Sequence, residues 1–387
     1  MGHRLHDRAL VAAVIRGGLF VLLLHGIWPA AARGCPFCTV LKPSLSEQRD
    51  AATVVALAEL SQSKRGSSEF LIHKCLKGAE LIGGRDRATL AVDCALKPGA
   101  LAILLGKGTE SELSAVTWTI VGVNETSYAY FARAPSLRTP APERLRYFAP
   151  FLEHPDPLVA EDAYLEFGHA PFGTVAESIE LLPMDRLRRW IVDEKVPQTR
   201  KGFYGLALGL ANGVDDRRKN AEVLHGLILA PASDFRAGFD GVLGGYLLLE
   251  GKPGLKLIRD RYLANKDAAD GDVRHALTAL RFYHEFGRDI PAEQLLSAVR
   301  LLLVRPEFAD GVVVDLARWQ DWSVVQRVAD MYGPKEFNSP SIRRAIVGYL
   351  TACPNKDAAI QLARLKQTDP TGVAEAERAL STPAGAK

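Results

Sequence analysis

The chain of 387 residues lacks several features that would assign it to a function class. Its 48 Lys and Arg residues are nearly balanced by 45 Asp and Glu, so the formal net charge is only +3. Nucleic-acid-binding proteins usually carry clustered basic residues on one face, and we therefore expect no nucleic-acid partner. The sequence also lacks an uninterrupted apolar run of about 20 residues, which a membrane-spanning helix needs.

Cysteine is scarce, with five residues in the whole chain. Four of them, Cys35, Cys38, Cys75 and Cys94, lie in the first hundred residues, whereas Cys353 stands alone. In an oxidising compartment four clustered cysteines indicate two disulfides, and the sequence cannot choose among the three possible pairings. Cys353 is expected to be a buried, apolar residue.

Residues 1–34 have the features of a secretory signal. A basic start precedes an apolar run at residues 17–28, and small residues follow it. Cleavage is expected after Ala32 or after Gly34, which predicts an exported protein with no stable transmembrane span once the signal is removed. An uncleaved N-terminal anchor and a lipid on Cys35 are the alternatives.

After a short predicted helix, the pattern changes to short apolar runs separated by turn-forming residues. The helix is expected because Ser44 and Glu47 have the spacing of an N-terminal capping box. Five or six strands over roughly 80 residues fit a small closed or partly open barrel, with a two-sheet sandwich as the alternative. The runs predict strands at Thr53–Leu60, Glu69–Leu76, Ala88–Val92, Ala100–Leu105, Val116–Val123 and Tyr128–Phe131.

A domain boundary is predicted at residues 132–142. Pro135, Pro140 and Pro142 disfavour both helix and sheet, so this stretch is expected to be a semi-rigid linker. It would separate a disulfide-bonded β-domain at residues 35–131 from an all-helical domain at residues 143–387.

From about residue 142 to residue 381 one pattern returns about six times: turn residues, an apolar helix, a short break and a second apolar helix. Successive openings fall roughly 35 to 40 residues apart, which is the period of paired-helix solenoids. Each pair leaves apolar surface that only the next pair can cover, so the array is stable as a stack. The openings lie at Pro155, Pro197, Ala232, Asp270, Pro306 and Ser339, and glycines expected to let helices approach closely lie at positions 202, 205, 209, 241, 244 and 245.

The run Asp272-Val-Arg-His-Ala-Leu-Thr-Ala-Leu280 resembles the HEAT repeat, and the openings at Pro157 and Pro340 are similar to it. This resemblance implies a curved, right-handed helical solenoid that mainly holds other proteins, with no family catalytic residues to transfer. The openings at Ala232 and Pro306 match the pattern poorly, which is compatible with an irregular array.

The β-domain resembles the netrin-like domain of tissue inhibitors of metalloproteinases, an OB-type barrel. Cysteines directly after the signal, the helix starting near Ser44, and Cys94 followed by Pro98-Gly99 carry the resemblance. The inhibitors have Cys-x-Cys where this chain has Cys-x-x-Cys, and they have more cysteines later on. They chelate the protease zinc through an N-terminal cysteine, which here would require cleavage directly before Cys35. The whole chain also looks like uncharacterised exported proteins of planctomycete-type bacteria.

Cys35-Pro-Phe-Cys38 is the motif with the most specific chemistry. Such a pair at a helix N-terminus permits thiol–disulfide exchange, and glutaredoxins carry Cys-Pro-aromatic-Cys. The glutaredoxin motif follows a buried strand, whereas this one follows a cleavage site, so we interpret the four cysteines primarily as structural disulfides. A redox role and a four-cysteine zinc site are the alternatives.

These observations predict a non-enzymatic, exported scaffold whose helical surface engages a protein or cell-envelope partner. No catalytic, cofactor-binding or metal-binding residues are predicted. The first alternative is inhibition of an extracellular metalloprotease through the N-terminal β-domain. The second alternative is thiol–disulfide exchange at Cys35 and Cys38.

Overall fold

The computed structural model describes residues 35–38, 42–108, 116–231 and 236–381. The predicted signal at residues 1–34 and the repeat opening at residues 232–235 lie outside them. In the described part of the chain, no helix is both long enough and apolar enough to cross a membrane.

A five-stranded antiparallel sheet forms the first part of the fold, with strand order β3-β2-β1-β4-β5. Five of the six predicted strands are confirmed to within a few residues. The predicted helix is also confirmed, because Ser44 accepts from the Glu47 N–H and the Glu47 carboxylate accepts from the Ser44 N–H. The elements are α1 (Leu45–Ala51), β1 (Val54–Lys64), β2 (Ser67–Lys77), α2 (Ala79–Ile82), β3 (Arg87–Leu90), β4 (Leu101–Lys107) and β5 (Thr117–Gly122).

The central strand β1 is buried on both faces of the sheet, as its run of apolar residues requires. Val55, with Ile103 of β4, faces the large core that continues into the helices. Leu60 and Phe70 face a smaller core on the opposite side. Because one face of the sheet shares a core with the helices, the described residues belong to one compact unit.

Two expectations about the β-domain need correction or restriction. The strand predicted at Tyr128–Phe131 is wrong, because these residues lie in helix α3 (Glu125–Arg133), whose N-cap Asn124 forms a capping box with Ser127. Within the described residues β3 and β5 do not pair with each other, so an antiparallel sheet is established and its closure into a barrel is not. Helices α3 and α4 cover the ends of the predicted linker at 132–142, and the domain boundary there stays a prediction.

The remainder of the described chain is helical. Predicted openings at Pro155, Pro197, Asp270, Pro306 and Ser339 each fall at a helix start. The helices are α4 (Ala141–Phe148), α5 (Pro157–His169), α6 (Phe172–Glu177), α7 (Met184–Val192), α8 (Gln198–Gly209), α9 (Val214–Leu229), α10 (Phe239–Glu250), α11 (Lys252–Ile258), α12 (Asp270–Phe286), α13 (Ala292–Arg300), α14 (Pro306–Arg318), α15 (Val325–Asp330), α16 (Pro340–Ala352), α17 (Lys356–Thr368) and α18 (Pro370–Ser381).

The helices pack in successive pairs. Helix α10 packs beside α8 and α12, and α16 packs beside α14 and α18. The intervening helices lie against them, with α9 and α11 on α10 and with α15 and α17 on α16. A small antiparallel sheet is therefore followed by an array of packed helix pairs.

A buried carboxylate pair joins α1 to the helices. Asp162 and Glu166 lie one turn apart on α5, and both are almost fully buried. Asp162 accepts hydrogen bonds from the Leu45 N–H (2.6 Å) and the Tyr130 hydroxyl (2.7 Å). Glu166 accepts from the Ser44 hydroxyl (2.7 Å) and pairs with Arg144. The negative charges therefore face the N-terminus of α1, which favours anions.

Burial gives Asp162 a pH-dependent role in stability. It raises the pKa of Asp162 from 3.8 to about 6, against the lowering effect of its hydrogen bonds. The folded state holds this proton over a pH range in which the unfolded state has lost it, so the contribution to stability falls by about 2 kcal/mol as the pH rises from 4 to 7. Asp162→Asn has no proton to lose at this position. We therefore expect the unfolding free energy of the unaltered protein, minus that of Asp162→Asn, to fall by that amount from pH 4 to pH 7. Urea denaturation of both proteins would measure it, and a difference independent of pH would contradict the assignment.

Candidate functional site

The Cys-Pro-Phe-Cys motif is a turn docked on the helices. Cys35 and Cys38 form a disulfide, and the Cys38 N–H donates to the Cys35 carbonyl (3.3 Å). The Cys35 N–H donates to the Gly168 carbonyl near the end of α5 (2.7 Å). Cys35 is buried and Cys38 is half-buried. The disulfide closes the turn, and the main chain of Cys35 fastens it to α5.

Phe37, at the tip of this turn, fills a pocket made by α8, α10 and α12. The side chain is 4% exposed, and its ring centroid lies 4.8 Å from that of Phe282. A Cβ atom added to Gly244 would lie 2.5 Å from Phe37 Cζ, and one added to Gly202 would lie 3.0 Å from the Phe37 carbonyl oxygen. We call Gly202, Gly244 and Phe282 the Phe37 pocket. The pocket has room for Phe37 because Gly202 and Gly244 have no side chains.

The same glycines bring α8 and α10 into main-chain contact, as the sequence predicts. A Cβ atom on Gly241 would lie 2.0 Å from the Gly202 carbonyl oxygen, and one on Gly245 would lie 2.0 Å from the Gly205 carbonyl oxygen. Real Cβ atoms do not approach other atoms so closely. The glycine pattern therefore sets the spacing of these two helices, and with it the width of the Phe37 pocket.

Only one of the two expected disulfides is present in the structure. Cys35 and Cys38 are joined, whereas Cys75 and Cys94 are free thiols, as is the buried Cys353. Cys75 lies on β2 and packs with Val54, whereas Cys94 follows β3 and packs in the other small core. Both thiols are half-buried, and they pack against different apolar clusters, which explains why their proximity in sequence does not produce a bond.

Alkylation of the unfolded, unreduced protein should therefore add three groups, at Cys75, Cys94 and Cys353. In the folded protein we expect Cys353 to stay unlabelled and Cys75 to react slowly, because burial raises the pKa of its thiol and less thiolate is available. Intact mass after timed alkylation would count the groups. One group in the unfolded sample would indicate that all four N-terminal cysteines are paired.

The described residues contain no group of three or more His, Cys, Asp or Glu side chains that could hold a metal ion. The four cysteines weighed as a zinc site are thus not gathered in one cluster there. Half of the Arg and Lys residues on α7 and α9 have partners among the described residues, since Arg188 binds Asp185 and Asp216, Arg217 donates to the Leu248 and Leu249 carbonyls, and Arg218 binds Glu222. These contacts are structural.

A groove of about 580 Å³ lies on α14 and α16 and is bordered by α12 and α18. Val314 and Leu380 form apolar parts of its lining and are 42% and 46% exposed. Gly311 and Gly348 also line it without adding side chains. Because Arg281, Arg318 and Arg344 border it, we call it the arginine groove.

The charges that face solvent at the arginine groove are mainly positive. Asp315 is 2% exposed and accepts from Arg281 Nε (2.7 Å). Burial outweighs that partner and raises the pKa of Asp315. Arg318 is largely exposed and only 3.9 Å from Asp315, and Arg344 is exposed and forms no ion pair with a described residue. Guanidinium groups are therefore available to a ligand.

Sequence reasoning found the cysteine motif but missed the Phe37 pocket and the arginine groove. The pocket had a signal, because glycines at positions 202 and 244 interrupt helices that otherwise favour larger residues. The groove combines residues from α12, α14 and α16. Only the relative rotation of those helices brings Arg281, Arg318 and Arg344 together.

A comparison with solved structures found human deoxyhypusine hydroxylase in complex with glycerol. The sequences are 16% identical, the match covers 63% of this chain and 90% of that chain, and the TM-score is 0.27. A likeness at this level carries no argument about fold or activity. No protein-family model matches the chain, and no curated protein matches it.

The expectation that the protein is not an enzyme is withdrawn, since the solved structure found in this comparison is that of an enzyme. The match is too remote to assign that activity, or any other, to this chain. We therefore do not treat the absence of catalysis as a property of this protein.

Proposed function

We propose that this protein is an exported scaffold whose helical array binds a segment of a protein or cell-envelope partner. In this proposal a HEAT-like solenoid follows a small OB-like or netrin-like β-domain. The main support is the Phe37 pocket, where the helices already hold a non-helical segment of their own chain by one aromatic anchor. A buried aromatic side chain is the usual anchor of a bound segment.

The arginine groove is a second, independent observation that supports the proposal. The Phe37 pocket is occupied, whereas Val314 and Leu380 leave apolar surface exposed in a concave site farther along the array. Apolar surface in a cleft is typical of a binding site. The partner site in this proposal is the arginine groove.

A selection of peptides displayed on phage against the whole protein tests this proposal. We expect related segments that lose at least tenfold in affinity when Val314 is changed to Asp, since about 1.4 kcal/mol of apolar contact is removed. Val192→Asp is the matched control, because Val192 is an exposed valine on α7, away from the groove. The proposal that the scaffold uses this groove would be refuted if no set of related peptides were enriched. Equal binding of the peptides to Val314→Asp and Val192→Asp would refute it as well.

Export is tested separately. Intact mass of protein recovered outside the cytoplasm should give an N-terminus at residue 33 or 35. Recovery of the full chain only inside the cytoplasm would contradict export.

Thiol–disulfide exchange is a second candidate, favoured by the half-exposed Cys38 in a disulfide with the buried Cys35. If Cys38 attacks the disulfides of other proteins, changing Cys35 to Ser should leave Cys38 joined to them in mixed disulfides, because no second thiol is then present to release them. An unmodified variant recovered from an oxidising compartment would exclude this candidate. Metalloprotease inhibition gains no support from the geometry, because the Cys35 N–H is bonded to Gly168 and Cys35 is buried.

A further inference from the structure

We propose that the arginine groove binds an acidic segment of a partner protein that carries one apolar side chain. This inference rests on the proposed function and specifies the chemistry of the partner. It is drawn from the charges, the apolar lining and the volume of the groove.

The two acidic side chains of the groove leave little negative charge for an incoming ligand to meet. Asp315 is buried and bonded through Arg281 Nε. Asp310 is half-buried within α14 and accepts from the N–H of the next residue, Gly311 (2.7 Å). The carboxylates of a ligand would therefore meet guanidinium groups before they meet these acids.

The three arginines differ in how many contacts they already make with carboxylates of the chain itself. Arg281 uses Nε on Asp315, which leaves its two terminal nitrogens for another acceptor. Arg318 is 3.9 Å from Asp315, at the limit of an ion pair, and is largely exposed. Arg344 has no ion pair within the described part of the chain. Guanidinium groups bind carboxylates with two parallel hydrogen bonds, so two of these arginines would hold two acidic side chains.

The lining selects against a purely charged ligand. Val314 and Leu380 expose apolar surface in the same lining as the arginines, and a polyanion such as nucleic acid would leave that surface uncovered. One apolar side chain of a peptide would cover it. A volume of about 580 Å³ accommodates a few side chains, which corresponds to a short segment.

Anisotropy of labelled dodecapeptides with the whole protein tests this inference. The acidic peptide has Glu-Leu-Glu-Glu between neutral Gly-Ser flanks, and its two matched peptides carry Gln or Lys at the three Glu positions. We expect the acidic peptide to bind at least tenfold more tightly than the Gln peptide and the Lys peptide not to bind. The affinity should fall as salt rises, because exposed charge pairs are screened.

Variants locate the site. Arg344→Glu should weaken the acidic peptide at least tenfold and restore binding of the Lys peptide. Arg189→Glu is the matched control, since Arg189 is also an exposed arginine on a helix without an ion pair to a described residue, and it should change nothing. Circular dichroism and urea denaturation establish that both variants fold. Equal effects of the two variants would place binding elsewhere and overturn the inference.

Two further outcomes separate this inference from the proposed function. If the Gln peptide binds as well as the acidic one and Val314→Asp abolishes both, the groove binds segments and only the acidic preference is refuted. If none of the three peptides binds, the acidic preference is refuted, and the phage selection decides separately whether the groove binds segments at all. Binding of vesicles containing phosphatidylglycerol, lost in Arg344→Glu, without binding of the acidic peptide would identify a lipid surface and overturn the peptide partner.

Discussion

Changing Gly241 to Ala is expected to lower the free energy of unfolding by about 3 kcal/mol, at the upper end of the range for overpacking. The added Cβ atom would lie 2.0 Å from the Gly202 carbonyl oxygen and 2.5 Å from the Gly202 carbonyl carbon. Both atoms belong to the main chain of α8, so no side-chain rotation can relieve the overlap. The two helices must separate, and urea denaturation followed by circular dichroism would measure the loss.

Gly226→Ala is the matched control for this change. Gly226 is exposed in the interior of α9, and an added Cβ atom would have no neighbour within 4 Å. Alanine favours a helix more than glycine does, so we expect a gain of up to about 1 kcal/mol. If Gly241→Ala were as stable as the unaltered protein, the close approach of α8 and α10 would be wrong.

Changing Phe37 to Ala is expected to remove about 3 kcal/mol of stability and to abolish the penalty for a side chain at Gly244. In the unaltered protein, Gly244→Ala should be destabilising, because its Cβ atom would lie 2.5 Å from Phe37 Cζ. With Phe37 shortened, the methyl group enters the vacated space. The two changes should therefore be coupled by about 2 kcal/mol in favour of the double variant.

Urea denaturation of the four proteins completes this double-mutant cycle. Phe70 provides a control, because it is also fully buried but lies in the small core of the sheet. Phe70→Ala should destabilise the protein without coupling to Gly244→Ala. Additive effects of Phe37→Ala and Gly244→Ala would show that Phe37 does not occupy the pocket.

The helices could be predicted largely because their starts are encoded locally. Asp156 and Ser339 accept hydrogen bonds from main-chain N–H groups of the first turn, and prolines at positions 157 and 340 follow them. The strands were predicted equally well where turn residues bounded a run, as around Gly66 between β1 and β2. These signals are read from neighbours in sequence and do not depend on tertiary contacts.

The errors fall where local pattern and tertiary structure diverge. The apolar run at 128–131 is too short to distinguish a strand from a helix, and the capping box at Asn124 and Ser127 was the overlooked signal. The disulfide count failed because Cys75 and Cys94 pack in separate clusters, which no spacing reveals. The Phe37 pocket required contacts between residues more than a hundred positions apart.

A partner segment held in the arginine groove would lie within reach of a crosslinking side chain placed there. A photo-crosslinking amino acid at position 314, inside the groove, and at position 192, on α7, would test for such a segment in cells that export the protein. We predict an adduct at position 314 that mass spectrometry maps to one acidic segment of one protein, with no such adduct at position 192. Adducts that are identical at both positions, or absent from position 314, would contradict binding of a segment in the groove.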